Sequence, residues 1–198
     1  VFYTPTPLGP DAQVAFVFPG SGNHFPGMGL DLWAAFPGVP RAQGLETGLL
    51  ASQVRPGAIA PWRGRFEPGW EAEAEAALAG DHRTTLLAQV AHGALMHDLV
   101  TGFGLRPSAV VGYSLGETAG FVSTRTWTDR DELARRMATT SLFTEELGGS
   151  YAAAARAWGL APGEAARWTL GVVDRGPALV KGALADLDRA YLLIVNAP

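Results

Sequence analysis

A serine lies between two glycines at the point where an apolar segment gives way to a helical pattern. Residues 109–112 are typical of a buried strand, and residues 115–122 have helical character. Ser114, flanked by Gly112 and Gly116, is therefore predicted at a strand-to-helix turn, which needs neighbours with almost no side chain. Such a turn lifts the hydroxyl clear of the backbone and leaves unpaired amides for an oxyanion. The pattern predicts an acyl-accepting nucleophile; the alternative is a corner with an idle serine.

A second glycine-rich loop follows the first predicted strand, residues 14–18. It runs Pro-Gly-Ser-Gly-Asn-His from Pro19 to His24, and its glycines let backbone approach a substrate. The loop matches neither Gly-x-x-x-x-Gly-Lys-Ser/Thr nor Gly-x-Gly-x-x-Gly, and it contains no lysine, so it does not fit a phosphate site. An oxyanion site for an acyl group fits it better.

Together these loops resemble the malonyl-CoA:ACP transacylase family and the acyltransferase domains of polyketide and polyunsaturated fatty-acid synthases. In that family the first strand ends in Phe-Pro-Gly-Gln-Gly-x-Gln, matched here by residues 18–24. Further along comes Gly-His-Ser-x-Gly-Glu, matched by residues 112–117. The similarity extends from Val14 to Pro198.

The resemblance implies a hydrolase-like α/β lobe with a parallel sheet and an inserted, ferredoxin-like α+β lobe. It implies that an acyl group passes from acyl-CoA to Ser114 and then to the phosphopantetheine thiol of an acyl carrier protein, beside neighbouring synthase domains. The backbone amides of Leu115 and Ser21 would form the oxyanion hole. No cofactor and no metal are implied.

The family's serine is activated by a histidine that comes later in the sequence, whereas the four histidines of this chain all precede Ser114. We expect the base to lie beyond Pro198. The alternative is that His24 acts as the base, since triads occur in every chain order. The other three, His82, His92 and His97, are expected on the surface or in helix packing.

The resemblance also places substrate-binding residues, with differences. Thr139 stands where malonyl-selective members carry an arginine that binds the malonyl carboxylate, and Arg135 and Arg136 lie about one helical turn away. Leu86 takes the place of a family glutamine, and Tyr113 that of the histidine before the nucleophile. These differences predict a divergent site, suited either to uncharged acyl groups or to an altered recognition of the acyl group.

Two other functions fit the same sequence. A thioesterase or editing hydrolase would use the same turn and deliver the acyl group to water. A non-catalytic acyltransferase-like docking domain would bind its carrier or a neighbouring domain without forming an acyl adduct.

Composition excludes several classes of protein. A net charge of −4 with no basic stripe argues against nucleic acid as a partner. No apolar run approaches the roughly 20 residues of a membrane span, so we expect a cytoplasmic chain. Without cysteine, any nucleophile in these residues is an oxygen.

The chain is expected to contain a linker (residues 1–12), a large α/β acyltransferase lobe (13–148) and an incomplete small lobe (149–198). In the small lobe, apolar residues 168–173 and 191–195 predict strands on either side of a helix at 178–187. Residues 30–70 predict short helices and loops. Longer helices are predicted at 71–78, 84–100 and 129–147, the last with Thr128 as its N-cap.

Overall fold

The structure, a computed structural model, describes Thr6, Gly9 and residues 11–59 and 67–196. It divides into two compact units, Val1–Thr140 and Ser141–Pro198. Most of the predicted linker, residues 1–12, lies outside the described residues. The described residues are mostly helical and contain one sheet of two parallel strands.

The sheet pairs strand β1 (Ala15–Phe18) with strand β2 (Ala109–Gly112), both at their predicted positions. The strands are parallel, with Ala15 opposite Ala109 and Phe18 opposite Gly112. Parallel strands end at the same edge of a sheet, so the loop after Phe18 and the turn after Gly112 emerge side by side.

Helices supply most of the first unit. Helix α6 (His82–Gly102) begins after Asp81, whose side chain accepts a hydrogen bond from the Thr84 amide at 2.9 Å. Helices α5 (Trp70–Ala79), α6 and α7 (Leu115–Ser123) confirm the predictions for 71–78, 84–100 and 115–122, and residues 30–59 form short helices as predicted. The bounds are α1 Leu30–Ala35, α2 Gly38–Glu46, α3 Leu50–Val54, α4 Pro56–Ile59, α5 Trp70–Ala79, α6 His82–Gly102, α7 Leu115–Ser123 and α8 Arg130–Thr139.

One apolar cluster holds the sheet against the two helices that flank it in sequence. Phe18 of β1, Val90 and Ala94 of α6, and Ala119 and Val122 of α7 are all buried and pack together. Removing such side chains from water stabilises a fold by roughly 25 cal/mol per Å² of apolar surface. This cluster supports the end of β1 and the start of α7, which carry the two glycine-rich loops.

Helix α8 differs from its prediction at both ends. Its N-cap is Asp129, whose carboxylate accepts from the Glu132 amide at 2.8 Å, and not Thr128. The helix ends at Thr139, and residues Leu142–Glu146 form a separate π-helical turn. The prediction of one helix over 129–147 was therefore wrong. The backbone becomes extended at Thr140, between the end of α8 and the π-helical turn.

Buried polar contacts attach the start of α8 to α2 and α3. The buried Arg130 donates to the side-chain oxygen of Gln53 at 2.9 Å and to that of Gln43 at 2.7 Å. The neighbouring Asp131 accepts from the Gly48 amide at 2.9 Å. Hydrogen bonds to charged groups are stronger than neutral ones, at about 1.5–3 kcal/mol each, so these contacts hold the start of α8 against α2 and α3.

The second unit contains α9 (Ala152–Ala157) and α10 (Pro177–Leu184), and α10 overlaps the predicted helix at 178–187. Its described residues form no strand, so the strands predicted at 168–173 and 191–195 are not observed. Their apolar side chains are exposed, as in Leu170 at 71% and Val172 at 90%. An extended segment becomes a strand only where another takes up its backbone hydrogen bonds, which apolar composition alone does not ensure. No ferredoxin-like lobe is seen here.

Candidate active site

Ser114 occupies a strained turn between β2 and α7. Its φ of 53° and ψ of −117° lie in a region that residues other than glycine rarely adopt. The turn is closed by hydrogen bonds from the Gly116 amide to the Tyr113 carbonyl (2.9 Å) and from the Glu117 amide to the Ser114 carbonyl (3.0 Å). Ser114 itself is exposed. The backbone thus presents the hydroxyl to solvent at the N-terminus of a helix.

The two glycines of the motif are required by close backbone contacts. A Cβ on Gly116 would overlap the carbonyl group of Phe18, and one on Gly112 would overlap the backbone of Glu117. Such overlap with backbone cannot be relieved by a side-chain rotation. The turn predicted from Gly-x-Ser-x-Gly therefore has its expected steric basis.

The loop after β1 lies against this turn. The Tyr113 amide donates to the Phe18 carbonyl at 3.1 Å, and a Cβ on Gly20 would come within 2.8 Å of the Tyr113 ring. The next residue, Ser21, is exposed. Among the described residues, the backbone amides of Ser21 and Leu115 donate no hydrogen bond to the protein. Both amides belong to the two loops that meet here and are free to bind a substrate.

Gln89, a buried residue of α6, forms side-chain hydrogen bonds to the backbone of the same loop. Its side-chain oxygen accepts from the Asn23 amide at 3.3 Å, and its side-chain nitrogen donates to the carbonyl oxygens of Gly20 and, at 3.4 Å, of Pro19. The Asn23 side chain adds a bond to the Gly20 carbonyl at 2.9 Å. These bonds restrain the backbone on both sides of Ser21.

Sequence reasoning missed Gln89. The resemblance placed the family's glutamine at the position of Leu86, which is half-buried. Leu86 does not line the cavity described below, whereas Gln89 does. The two residues are three positions apart on α6 and so share a face of the helix. A polar residue within an otherwise apolar helical stripe was the available signal.

The other predicted site residues lie in different surroundings. Tyr113 is exposed and lies against Gly20. His24 is half-buried in the loop after Ser21, and no hydrogen bond joins it to Ser114 among the described residues. Thr139 is exposed at the end of α8 and donates to carbonyl oxygens of its own helix.

The arginines near Thr139 already have carboxylate partners on their own helix. The Nε atom of Arg135 lies 3.2 Å from one oxygen of Glu132, and the Nε atom of Arg136 lies 2.8 Å from the other. Position 139 itself is a threonine, and both neighbouring arginines are already paired with Glu132.

His92 packs inside the first unit. Its ring stacks on Trp33 with centroids 5.0 Å apart, and its two nitrogens contact the carbonyl oxygens of Ala88 (2.7 Å) and Met28 (2.9 Å). Burial lowers the pKa of His92, and the two backbone contacts only partly oppose this. This histidine is a packing residue, as predicted, and its nitrogens are not available to Ser114.

A cavity of about 610 Å³ extends from beneath these loops between β1 and helices α1, α2 and α6. Pro19, Asn23, Gln89 and Leu115 line the end near the active-site loops. Most of the remaining lining is apolar, and it includes Phe16, Met28, Leu32, Trp33, Phe36, Val39 and Met96.

Two further searches concern only the described residues. They contain no group of three or more histidine, aspartate or glutamate side chains arranged to hold a metal ion. In the same part of the chain, no helix combines the length and the apolarity needed to cross a bilayer.

No protein-family model matches this chain, and no solved structure matches it significantly.

Proposed function

We propose that the chain is an acyltransferase domain that moves an acyl group from coenzyme A, through an ester on Ser114, to the thiol of an acyl carrier protein in fatty-acid or polyketide synthesis. The observation that supports this most directly is the meeting of the strained Ser114 turn with the Ser21 loop, each of which contributes a free backbone amide. The sequence resemblance supports the nature of the donor and the acceptor.

The proposed reaction has two balanced steps. The Ser114 oxygen attacks the thioester carbon, a C–O bond forms as the C–S bond breaks, and coenzyme A leaves as its thiol with the proton that the base has taken from serine. In the second step the carrier thiol gives its proton to the base and attacks the ester carbon, a C–S bond forms as the C–O bond breaks, and Ser114 takes the proton back from the base. The amides of Leu115 and Ser21 would stabilise the oxyanion in both steps.

The base is assigned only by resemblance, to a histidine that comes after the nucleophile in the family's sequences. His24 is the alternative within this sequence. The ferredoxin-like small lobe is proposed from the sequence resemblance alone; of the predicted β-α-β segment, the described residues contain only the helix α10.

A transfer assay tests the proposal. Full-length protein is incubated with radiolabelled acyl-CoA in the presence and absence of a phosphopantetheinylated carrier protein, and labelled carrier and free acid are quantified. Transfer that depends on Ser114 supports the acyltransferase. Rapid release of free acid that the carrier does not affect would identify a hydrolase instead, and carrier binding without label on any species would identify a docking domain.

A further inference from the structure

We infer that the cavity beneath the active-site loops binds the hydrocarbon chain of an uncharged acyl thioester, so that the site selects acyl groups with such a chain over acetyl and malonyl. This inference rests on the proposed function of Ser114 and specifies its substrate class. It is carried by the position of the cavity, the chemistry of its lining and its size.

The cavity adjoins the active-site loops: Ser114 and Ser21 do not line it, but residues close to each of them in sequence do. Leu115 follows Ser114 directly and carries one of the two free amides, and its side chain lines the cavity. Pro19 and Asn23, on either side of Ser21, line it as well. An acyl group on Ser114 would therefore meet the cavity at the end where both proposed oxyanion donors lie.

The lining offers no cationic partner for the free carboxylate of a malonyl group. No lysine or arginine is among the lining residues, and the polar side chains are Asn23, Gln89, His92 and His97. Each of these is already hydrogen-bonded to the protein, and His97 contacts the carboxylate of Asp98 at 3.1 Å. A malonyl carboxylate placed here would lose its hydration without gaining a cation.

The size and the apolar lining of the cavity suit an acyl chain. A volume of about 610 Å³ lies within the range of about 300–1,000 Å³ typical of small-molecule sites. Away from the loops the lining consists largely of side chains such as Leu32, Trp33, Phe36 and Val39. Each methylene buried there should tighten binding by about fourfold.

The test measures binding apart from chemistry. Full-length Ser114→Ala protein is titrated calorimetrically with acetyl-CoA, malonyl-CoA and octanoyl-CoA. Octanoyl-CoA should bind at least about 100-fold more tightly than either of the others. Similar affinities for all three thioesters would overturn the inference.

Two further measurements locate the bound hydrocarbon chain in the cavity. Trp33 lines the cavity, so an octanoyl-CoA brominated on its chain should quench the indole fluorescence that Trp33→Phe removes. Val39→Trp, which fills the cavity from α2, should weaken octanoyl-CoA binding by at least about tenfold. Leu45→Trp is the matched control, because Leu45 lies on the same helix and is 92% exposed outside the cavity.

The outcomes separate this inference from the proposed function. Tight octanoyl binding by Ser114→Ala protein, with no acylation of the wild type, would overturn the acyltransferase and leave the chain-binding cavity. Ser114 acylation without a chain-length preference, or with Trp33 unaffected by the brominated chain, would overturn the cavity assignment alone. Trp33 fluorescence unaffected by the brominated chain would mean that another group, such as a polypeptide strand beside β1, occupies the cavity.

Discussion

The backbone amide of Tyr113 donates a hydrogen bond of 3.1 Å to the carbonyl oxygen of Phe18. This bond joins the last residue of β1 to the residue before Ser114, and it continues the parallel pairing of the strands by one residue. The same carbonyl lies against Gly116. The position of the candidate nucleophile relative to the Ser21 loop therefore follows from the sheet itself.

Gly116→Ala should damage the fold as well as the site. The new Cβ would overlap the Phe18 carbonyl, and overpacking against backbone costs about 3 kcal/mol in the free energy of unfolding. Urea denaturation measures this change. Gly102→Ala is the matched control, because a Cβ there meets nothing within 4 Å near the end of α6, and it should stabilise the protein by up to about 1 kcal/mol. Equal stability of the two variants would contradict the steric argument.

Gln89→Glu should slow acylation while leaving Ser114 in place. The substitution keeps the shape of the side chain but replaces the nitrogen donor with an oxygen facing the carbonyls of Gly20 and Pro19. The Ser21 loop should then shift, and kcat should fall by about 10- to 100-fold with a smaller change in KM, less than the loss of a whole oxyanion donor.

Single-turnover acylation and steady-state kinetics measure the effect of Gln89→Glu. Leu86→Ala is the comparison, since Leu86 does not line the cavity, and it should stay within about twofold of wild type. A larger loss in Leu86→Ala than in Gln89→Glu would show that the resemblance had placed this position correctly.

A structural feature could be predicted from the sequence when the contacts that determine it are between residues close in sequence. The Ser114 turn was predictable because its requirement, glycines at 112 and 116, is written within five residues. The role of Gln89 was not, because it depends on which residue of α6 faces the Ser21 loop, a contact across 69 residues. The prediction of strands at 168–173 and 191–195 was wrong for a related reason: a strand needs a partner strand for its backbone hydrogen bonds, and apolar composition does not supply one.

The carboxylate of Asp98 should make the protein sensitive to acid. Burial raises the pKa of Asp98, but hydrogen bonds from Arg125, Gln43 and His97 outweigh it and hold that pKa below its ordinary value of 3.8. The folded protein therefore binds this proton less readily than the unfolded chain. The stability that Asp98 contributes is complete above the unfolded pKa and is lost as pH falls through the folded one.

Urea midpoints measured from pH 6 down to pH 2 test this sign. The free energy of unfolding should decline below about pH 4, and Asp98→Asn should be less stable than wild type at pH 6 with a shallower decline. Asp11→Asn, at an exposed position, is the control and should follow the wild-type profile. An Asp98→Asn profile parallel to that of wild type would contradict the prediction.

His24→Ala should leave acylation within about threefold of wild type in the full-length protein. No hydrogen bond joins His24 to Ser114 among the described residues, and the resemblance assigns the base to a later histidine. Loss of a general base typically costs 10²–10⁴-fold. A fall of that size, with an unchanged thermal midpoint, would instead make His24 the base.

The most direct test of the account is the mass of the acylated protein. Full-length protein incubated with octanoyl-CoA should gain one octanoyl group, and peptide mapping should place it on Ser114. Ser114→Ala should gain none, while Ser21→Ala, which keeps the backbone amide of the oxyanion hole, should still be acylated. An adduct that persists in Ser114→Ala, or that maps to another residue, would contradict the central claim that Ser114 is the acyl-accepting nucleophile.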